Sequence, residues 1–194
     1  MHDSASDRAA VPLRRRSVVA TVGALAALAG AGFAAWRLRP GDGTLGAGVG
    51  PEATFWQQTF ERPEGGELAL AQFRGRRLVL NFWATWCPPC VAELPLLDGF
   101  YRAQQARGWA VVGLAIDQPS AVRAFLAQRP LSLPVGLAGF GGSELAKALG
   151  NATGGLPYTV VFDRDGAVLQ RKMGKLSPDD LAAWAQLPVD ASAR

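Results

Sequence analysis

Residues 77–90, RLVLNFWATWCPPC, decide the fold. The first eight residues are mostly apolar, which is typical of a strand buried on both faces, and a helix is predicted from Pro88 to about Arg107. Cys87 and Cys90 therefore lie where a strand gives way to a helix. They are the only two cysteines in 194 residues, which indicates that the two sulfurs act together.

The spacing of this pair predicts reversible dithiol–disulfide exchange. At the entrance of a helix, Cys87 meets unpaired backbone N–H groups and the positive end of the helix dipole, which lower the pKa of a thiol and populate the thiolate. Pro88 has no N–H and suits the first turn. Because Cys90 lies about one turn further in and is more shielded, we expect Cys87 to attack and Cys90 to resolve the mixed disulfide.

Two other interpretations of the cysteine pair stay open. The first is a static structural disulfide, although a bridge that closes so short a loop restricts the unfolded chain little. The second is half of a metal site, but a structural zinc ion needs four ligands. The only histidine, His2, lies in the N-terminal tail.

The rest of the chain alternates strand and helix patterns, which predicts one domain built as a three-layer α/β sandwich. The strands are predicted at Phe55–Phe60, Glu67–Leu70, Arg77–Ala84, Trp109–Ile116, Leu133–Leu137, Tyr158–Asp163 and Ala167–Lys172. Further helices are predicted at Ser120–Gln128 with Ser120 as N-cap, at Gly142–Leu149, and after the cap Ser177 with Pro178 in the first position. Glycines 65 and 66 predict an N-terminal hairpin, and the Asp165-Gly166 turn predicts another.

The N-terminal region reads as a targeting segment. Residues 17–36 carry no charge, and as a helix they would span about 30 Å, the thickness of a bilayer core. Arg14, Arg15 and Arg16 precede them, which predicts a cytoplasmic N-terminus and an exported domain. We favour a retained anchor. A cleaved signal is the alternative, because Ala29-Gly30-Ala31 looks like a cleavage site and residues 15–19 resemble a twin-arginine signal.

These patterns divide the chain into a cytoplasmic tail (1–16), a transmembrane anchor or export signal (17–36), a flexible linker (37–52) and a folded domain (53–190). The formal net charge is +4, and four arginines and two aspartates of this balance lie in the first 36 residues. The folded part is therefore nearly neutral. Because no basic stripe runs through it, the composition argues against nucleic-acid binding.

Residues 81–95, NFWATWCPPCVAELP, resemble the active-site segment of the thioredoxin superfamily and, within it, the membrane-anchored TlpA/ResA-like thiol–disulfide oxidoreductases of bacteria. The resemblance covers roughly residues 51–187. It implies a thioredoxin-like α/β/α sandwich with a mixed central sheet, an N-terminal β-hairpin and a helix-containing insert. It also implies a single-pass inner-membrane protein whose catalytic domain faces the periplasm, or a periplasmic protein if the signal is cleaved.

The resemblance also implies the function. Members of this family mostly reduce disulfides of exported proteins, among them apocytochromes c and proteins of oxidase copper assembly, and usually receive electrons from a membrane thiol carrier. We expect no cofactor beyond the redox-active Cys87–Cys90 disulfide, no metal, and a monomer.

Residues 155–159, GLPYT, match the superfamily loop whose proline is cis and faces the cysteine pair, so a cis bond is expected at Leu156-Pro157. That loop would offer its backbone to a substrate strand. The expected substrate-binding residues are Trp86, as a partly exposed aromatic lid, with Pro88, Pro89, Leu156 and Pro157.

Glu93 is the third expected catalytic residue, beside Cys87 and Cys90. It follows Cys90 by three positions and so shares its helix face. The matching glutamate in ResA-like proteins tunes the protonation of the cysteines, whereas the alternative is a solvated helix residue. Asn81 stands where cytoplasmic thioredoxins have a buried aspartate, which leaves Glu93 as the candidate proton carrier. Trp83 is expected in the core. The remaining acidic candidates are expected to be cap or turn residues: Asp117, Glu144, Asp163 and Asp165.

Three competing functions remain: a DsbA-like thiol oxidant, a Sco-type copper chaperone and a peroxiredoxin-like peroxidase. The copper chaperone is disfavoured because it needs a histidine far along the chain, and no histidine follows His2. The peroxidase places a lone cysteine in a different motif. The oxidant differs from the reductant only in its reduction potential, which the sequence does not decide.

Overall fold

The computed structural model of the protein describes residues 54–187. Its strands are β1 (Thr59–Glu61), β2 (Glu67–Ala69), β3 (Arg77–Trp83), β4 (Trp109–Ala115), β5 (Val135–Leu137), β6 (Tyr158–Phe162) and β7 (Val168–Met173). Its main helices are α1 (Pro88–Gln104), α2 (Pro119–Gln128), α3 (Gly142–Ala148) and α4 (Pro178–Ala185). Short 3-10 turns lie at Leu70–Phe73 and Gln105–Arg107.

The strands form one mixed sheet of seven in the order β2-β1-β5-β4-β3-β6-β7. The central strands β3, β4 and β5 run parallel, while β6 is antiparallel to β3 and β7 to β6. At the other end, β1 and β2 form the N-terminal hairpin, and β1 adds antiparallel to β5. The predicted thioredoxin-like α/β fold with a mixed sheet, an N-terminal hairpin and an inserted helix is confirmed.

Side chains on the two faces of the sheet enter two separate cores, since successive residues of a strand point to opposite faces. One core contains Val79 and Trp83 with apolar side chains of α1, α2 and α4. The other contains Leu78, Leu80 and Phe82 with α3 and the N-terminal segment. This alternation explains why the whole of β3 is buried, as its sequence predicts. Trp83 is fully buried, as expected.

Two predicted boundaries are wrong in an instructive way. The first strand begins only at Thr59, because Phe55 turns inward and stacks on Phe162 with ring centroids 4.8 Å apart. Ser120 is not a helix cap: α2 begins one residue earlier, at Pro119, and Gln118 occupies the N-cap position. Proline suits the first helical position because its φ is already helical and its missing N–H would have had no partner.

The start of α4 follows its prediction closely. Ser177 and Asp180 form a reciprocal capping box, in which each side chain accepts a hydrogen bond from the other residue's backbone N–H. The predicted tail, anchor and linker, and the ends of the predicted domain, lie outside the described residues. Between residues 54 and 187 no helix is long and apolar enough to cross a membrane.

Candidate active site

Cys87 and Cys90 form a disulfide at the start of α1, with their Cα atoms 5.3 Å apart. Cys87 is the N-cap residue, and the backbone N–H of Cys90 donates a hydrogen bond of 3.3 Å to its sulfur. Both side chains are buried: Cys87 is 5% exposed and Cys90 not at all. The sulfur expected to attack therefore lies at the positive end of the helix and is the more accessible of the two.

The loop that carries Cys87 is held by Asp117, which lies just beyond β4. Its Oδ2 accepts hydrogen bonds from the backbone N–H of Thr85 at 2.9 Å and from the Thr85 hydroxyl at 2.5 Å. Its Oδ1 accepts from the N–H of Gln118 at 2.7 Å. Asp117 therefore has the expected local role, through Gln118, and in addition holds the loop that contains Thr85. A signal was available in the sequence: adjacent parallel strands end at one edge of the sheet, so a side chain that follows β4 reaches the loop that follows β3.

Leu156-Pro157 is a cis peptide bond, as the resemblance implied. It lies just before β6, whose first residue, Tyr158, pairs with Phe82 near the end of β3 that leads to the cysteines. The Pro157 carbonyl accepts a hydrogen bond of 2.9 Å from the N–H of Gly174. Among residues 54–187 no hydrogen bond engages the backbone of Leu156.

The surface around the disulfide is apolar. Trp86 was expected to be a partly exposed lid, and 63% of its surface is exposed. Pro88 and Pro89 are exposed as well. Leu156 is half-buried. The loop residues 84–90 and 151–157 contain no charged side chain. Of the substrate-binding residues named from the sequence, Trp86, Pro88 and Pro89 are exposed in the loop and first turn that carry the cysteines, whereas Pro157, in the loop before β6, is buried.

Glu93 is fully buried below the first turn of α1, rather than solvated. Its Oε1 accepts a hydrogen bond of 2.8 Å from the side chain of Asn81, and its Oε2 one of 2.6 Å from the N–H of Leu176. The Asn81 amide also donates to Thr159 at 3.0 Å, while its own oxygen has no partner in the described part of the chain. The network reaches neither sulfur by a hydrogen bond, so the proton-carrying role of Glu93 stays a prediction.

Burial raises the pKa of the Glu93 carboxyl above its ordinary value of 4.5. The hydrogen bonds from Leu176 and Asn81 and the positive charges of Lys175 and Lys172 oppose that shift without cancelling it. A buried carboxyl with a raised pKa, about one helical turn from Cys90 along α1, has the chemistry of a general acid or base.

The other acidic candidates have local structural roles. Asp163 accepts a hydrogen bond from the N–H of Ala167 in the turn between β6 and β7, and Glu144 pairs with Lys147 within α3. Within residues 54–187 no three His, Cys, Asp or Glu side chains cluster as metal ligands would.

Comparison with known proteins decides the family. Residues 50–186 match the Redoxin family. The chain is 34% identical over 122 residues to the thiol-disulfide oxidoreductase ResA of Bacillus thuringiensis subsp. konkukian. The alignment covers 62% of this chain and 68% of that protein. The chain belongs to the ResA-like thiol–disulfide oxidoreductases of the Redoxin family.

Two further likenesses agree with this. The sporulation thiol-disulfide oxidoreductase A of Bacillus subtilis is 27% identical over 138 residues, covering 69% of this chain and 79% of that protein. The crystal structure of a thiol:disulfide interchange protein of the thioredoxin family from Chlorobium tepidum superposes with a TM-score of 0.56 at 28% identity, covering 66% of this chain and 92% of that one.

As a ResA-like oxidoreductase, this protein exchanges thiols and disulfides, and the site explains how its residues support that chemistry. The start of α1 stabilises negative charge on the Cys87 sulfur. The buried Cys90 is protected from solvent and lies within bonding distance of Cys87.

Proposed function

We propose that this protein reduces disulfides of exported proteins from a membrane tether, using Cys87 and Cys90 as a dithiol. The observation that carries the proposal is the position of the pair, because Cys87 caps α1; in addition, within residues 54–187 no hydrogen bond engages the backbone of Leu156 in the loop before β6. A backbone with both a free donor and a free acceptor suits an extended polypeptide.

The reaction moves two electrons from protein to substrate. The Cys87 thiolate attacks one sulfur of the substrate disulfide, whose S–S bond breaks as the second substrate sulfur leaves as a thiolate and takes up a proton. Cys90 then loses its proton, for which Glu93 is the proposed acceptor, and attacks the Cys87 sulfur. The mixed disulfide breaks, the substrate is released as a dithiol, and the Cys87–Cys90 disulfide is left.

Continued turnover needs an electron donor, which we propose is an integral membrane thiol carrier. The uncharged segment at residues 17–36 supports this location, since it follows three arginines and precedes the folded domain. Maturation of cytochromes c or of oxidase copper sites is the process that the family resemblance favours. A monomer suffices, because both cysteines belong to one chain.

The direction of electron flow is tested by the reduction potential. The full chain is equilibrated with glutathione buffers, and its oxidised fraction is read after acid quenching. We expect a value close to that of thioredoxin, about −270 mV, whereas a value close to that of DsbA, about −120 mV, would make the protein an oxidant.

The substrates are identified by a trap. Cys90→Ala leaves Cys87 without a resolving thiol, so mixed disulfides through Cys87 should accumulate in the cell envelope and can be identified by mass spectrometry. Cys87→Ala is the matched control and should capture nothing. Equal capture by both variants, or none by Cys90→Ala, would overturn the proposal.

A further inference from the structure

A groove runs between α1 and α2 and begins beside the reactive disulfide. A cavity of about 510 Å³ is lined by Trp86 and Pro88 at the active-site end. A second cavity of about 450 Å³ continues along α1 as far as Arg102. Val91, Phe125 and Arg129 line both cavities, so the two form one continuous surface, here called the α1–α2 groove.

The floor of the α1–α2 groove is apolar. Val91, Leu94 and Pro95 belong to one stripe of α1, because residues three and four apart share a helix face. Phe125 of α2 and Leu131 beyond it form the other wall. Phe125 is itself fixed, since its ring packs 5.5 Å from that of the buried Trp83. The groove therefore offers a firm apolar surface next to the sulfurs.

Two arginines, Arg102 and Arg129, line this groove, and Arg129 is the one whose charge is not paired with a carboxylate among residues 54–187. The guanidinium of Arg129 lies 5.4 Å from the centre of the Phe125 ring, and no carboxylate among residues 54–187 forms a salt bridge with it. The only carboxylate that lines the groove, Asp98, is already engaged. It accepts hydrogen bonds from the N–H groups of Ser132 and Leu133 and lies 3.4 Å from Arg102.

We propose that the α1–α2 groove binds the segment of a substrate protein that flanks its reactive cysteine, and that Arg129 selects segments carrying a carboxylate near that cysteine. An apolar substrate side chain would lie over Phe125, with an Asp or Glu at Arg129. This inference rests on the proposed function, because a flanking segment exists only if the substrate is a polypeptide.

The dimensions set the range of the selection. From Pro88 to Arg102 α1 extends about 21 Å at 1.5 Å per residue, which an extended chain covers with about six residues. Arg129 lines both halves of the groove, including the half that contains Trp86 at the active-site end. The selected carboxylate is therefore expected within about four residues of the substrate cysteine.

The test uses the full chain, reduced beforehand, and synthetic peptides whose single cysteine is joined by a disulfide to mercaptoethanol. Each peptide has a phenylalanine near the cysteine, and two nearby positions on each side are Asp, Asn or Lys. The rate constant for oxidation of the protein is measured at low ionic strength. We expect the Asp peptide to react about fivefold faster than the Lys peptide, and the ratio to shrink in 0.5 M salt as the charges are screened.

Variants assign the preference to one residue. Arg129→Gln should abolish it and Arg129→Glu should reverse it. Arg107→Gln is the matched control, because it removes the same charge next to the start of β4, at the opposite end of the sheet. A preference that survives Arg129→Gln, or that Arg107→Gln also abolishes, would overturn the assignment. Replacing the peptide's phenylalanine with serine should slow wild type, and an unchanged rate would refute the contact with Phe125.

A small neutral disulfide, bis(2-hydroxyethyl) disulfide, separates the two proposals. If the reduced protein fails to react with it and with every peptide, the proposed reductase function itself has failed. If it reacts normally and shows no preference among the peptides, only the groove proposal has failed.

Discussion

Asp117 accepts two hydrogen bonds from Thr85, one from its backbone N–H and one from its hydroxyl. Thr85 lies two residues before Cys87, and Asp117 is 95% buried at the end of the neighbouring strand. The position of the attacking sulfur thus depends on a carboxylate that lies 30 residues further along the chain than Cys87. Because both groups are largely withdrawn from water, losing one partner leaves the other unsatisfied.

Asp117→Asn should destabilise the oxidised protein by about 1–3 kcal/mol. The amide has one oxygen and one NH₂ group, so either Thr85 or Gln118 loses its acceptor. We also expect slower and less uniform alkylation of Cys87 in the reduced protein, since its loop is no longer held. Urea unfolding measures the first effect and timed iodoacetamide labelling the second.

Asp163→Asn is the control: it weakens a turn at the far end of the sheet and should leave Cys87 labelling unchanged. Equal labelling effects in both variants would contradict a positioning role.

Glu93 should make the stability of the oxidised protein fall as pH rises. In the unfolded chain its carboxyl loses a proton near pH 4.5, whereas the folded protein keeps that proton to a higher pH because burial raises the pKa. Stability contributed by the protonated form is present below pH 4.5 and is lost as pH rises through the raised pKa. The slope is at most about 1.4 kcal/mol per pH unit.

Glu93→Gln should remove this slope, because glutamine does not titrate. In addition, we expect the free energy of unfolding to fall by about 1–2 kcal/mol at every pH, because one amide oxygen cannot accept hydrogen bonds from both Asn81 and Leu176. Urea unfolding from pH 4 to pH 8 measures both effects. Glu144→Gln, on the exposed side of α3, should keep the wild-type slope. If wild type and Glu93→Gln have parallel profiles, the carboxyl is not protonated within the folded core.

Much of this architecture was predictable because the local signals agree with one another. The buried run of β3, the cysteine pair at a helix entrance and the capping box at Ser177 each combine residue type with spacing, and the structure contains all three. The first strand begins later than its aromatic residues predict, because packing of Phe55 on Phe162 overrides the preference of aromatic residues for strands.

Most contacts between distant segments were beyond the sequence. The order of the parallel strands indicates that Asp117 reaches the loop of Thr85, but nothing near Glu93 in the chain indicates the N–H of Leu176, 83 positions away. Asn81 is buried in β3, and its hydrogen bond to Glu93 depends on how α1 lies across β3, which the sequence does not reveal. The α1–α2 groove is of the same kind, because it exists only once α1 and α2 lie over the same face of the sheet.

The capping box of α4 predicts a loss of stability in acid. Hydrogen bonds from Lys172 and from the side chain and backbone of Ser177 lower the pKa of Asp180 from 3.8 to about 2. The ionised form therefore stabilises the fold above pH 3.8, and this contribution disappears as pH falls towards 2. Asp180→Asn should cost about 1 kcal/mol at pH 7 and less in acid. Asp179→Asn, in the same helical turn, should have a smaller effect. Urea unfolding at pH 7 and pH 3 distinguishes them, and equal losses at both pH values would contradict this account.

The two sulfurs should differ sharply in reactivity once the disulfide is reduced. Cys87 caps α1, and its sulfur accepts a hydrogen bond from the backbone N–H of Cys90, which favours its thiolate. Cys90, in contrast, has no exposed surface. We expect iodoacetamide at pH 7 to modify Cys87 at least about tenfold faster than Cys90, with a Cys87 pKa below the ordinary 8.5 or so of a free thiol. Peptide mapping after timed quenching measures the ratio, and the pH dependence of labelling in Cys90→Ala gives the pKa. Cys87→Ala should label slowly until urea exposes Cys90. Equal rates in the folded protein would mean that the helix entrance does not set the order of attack.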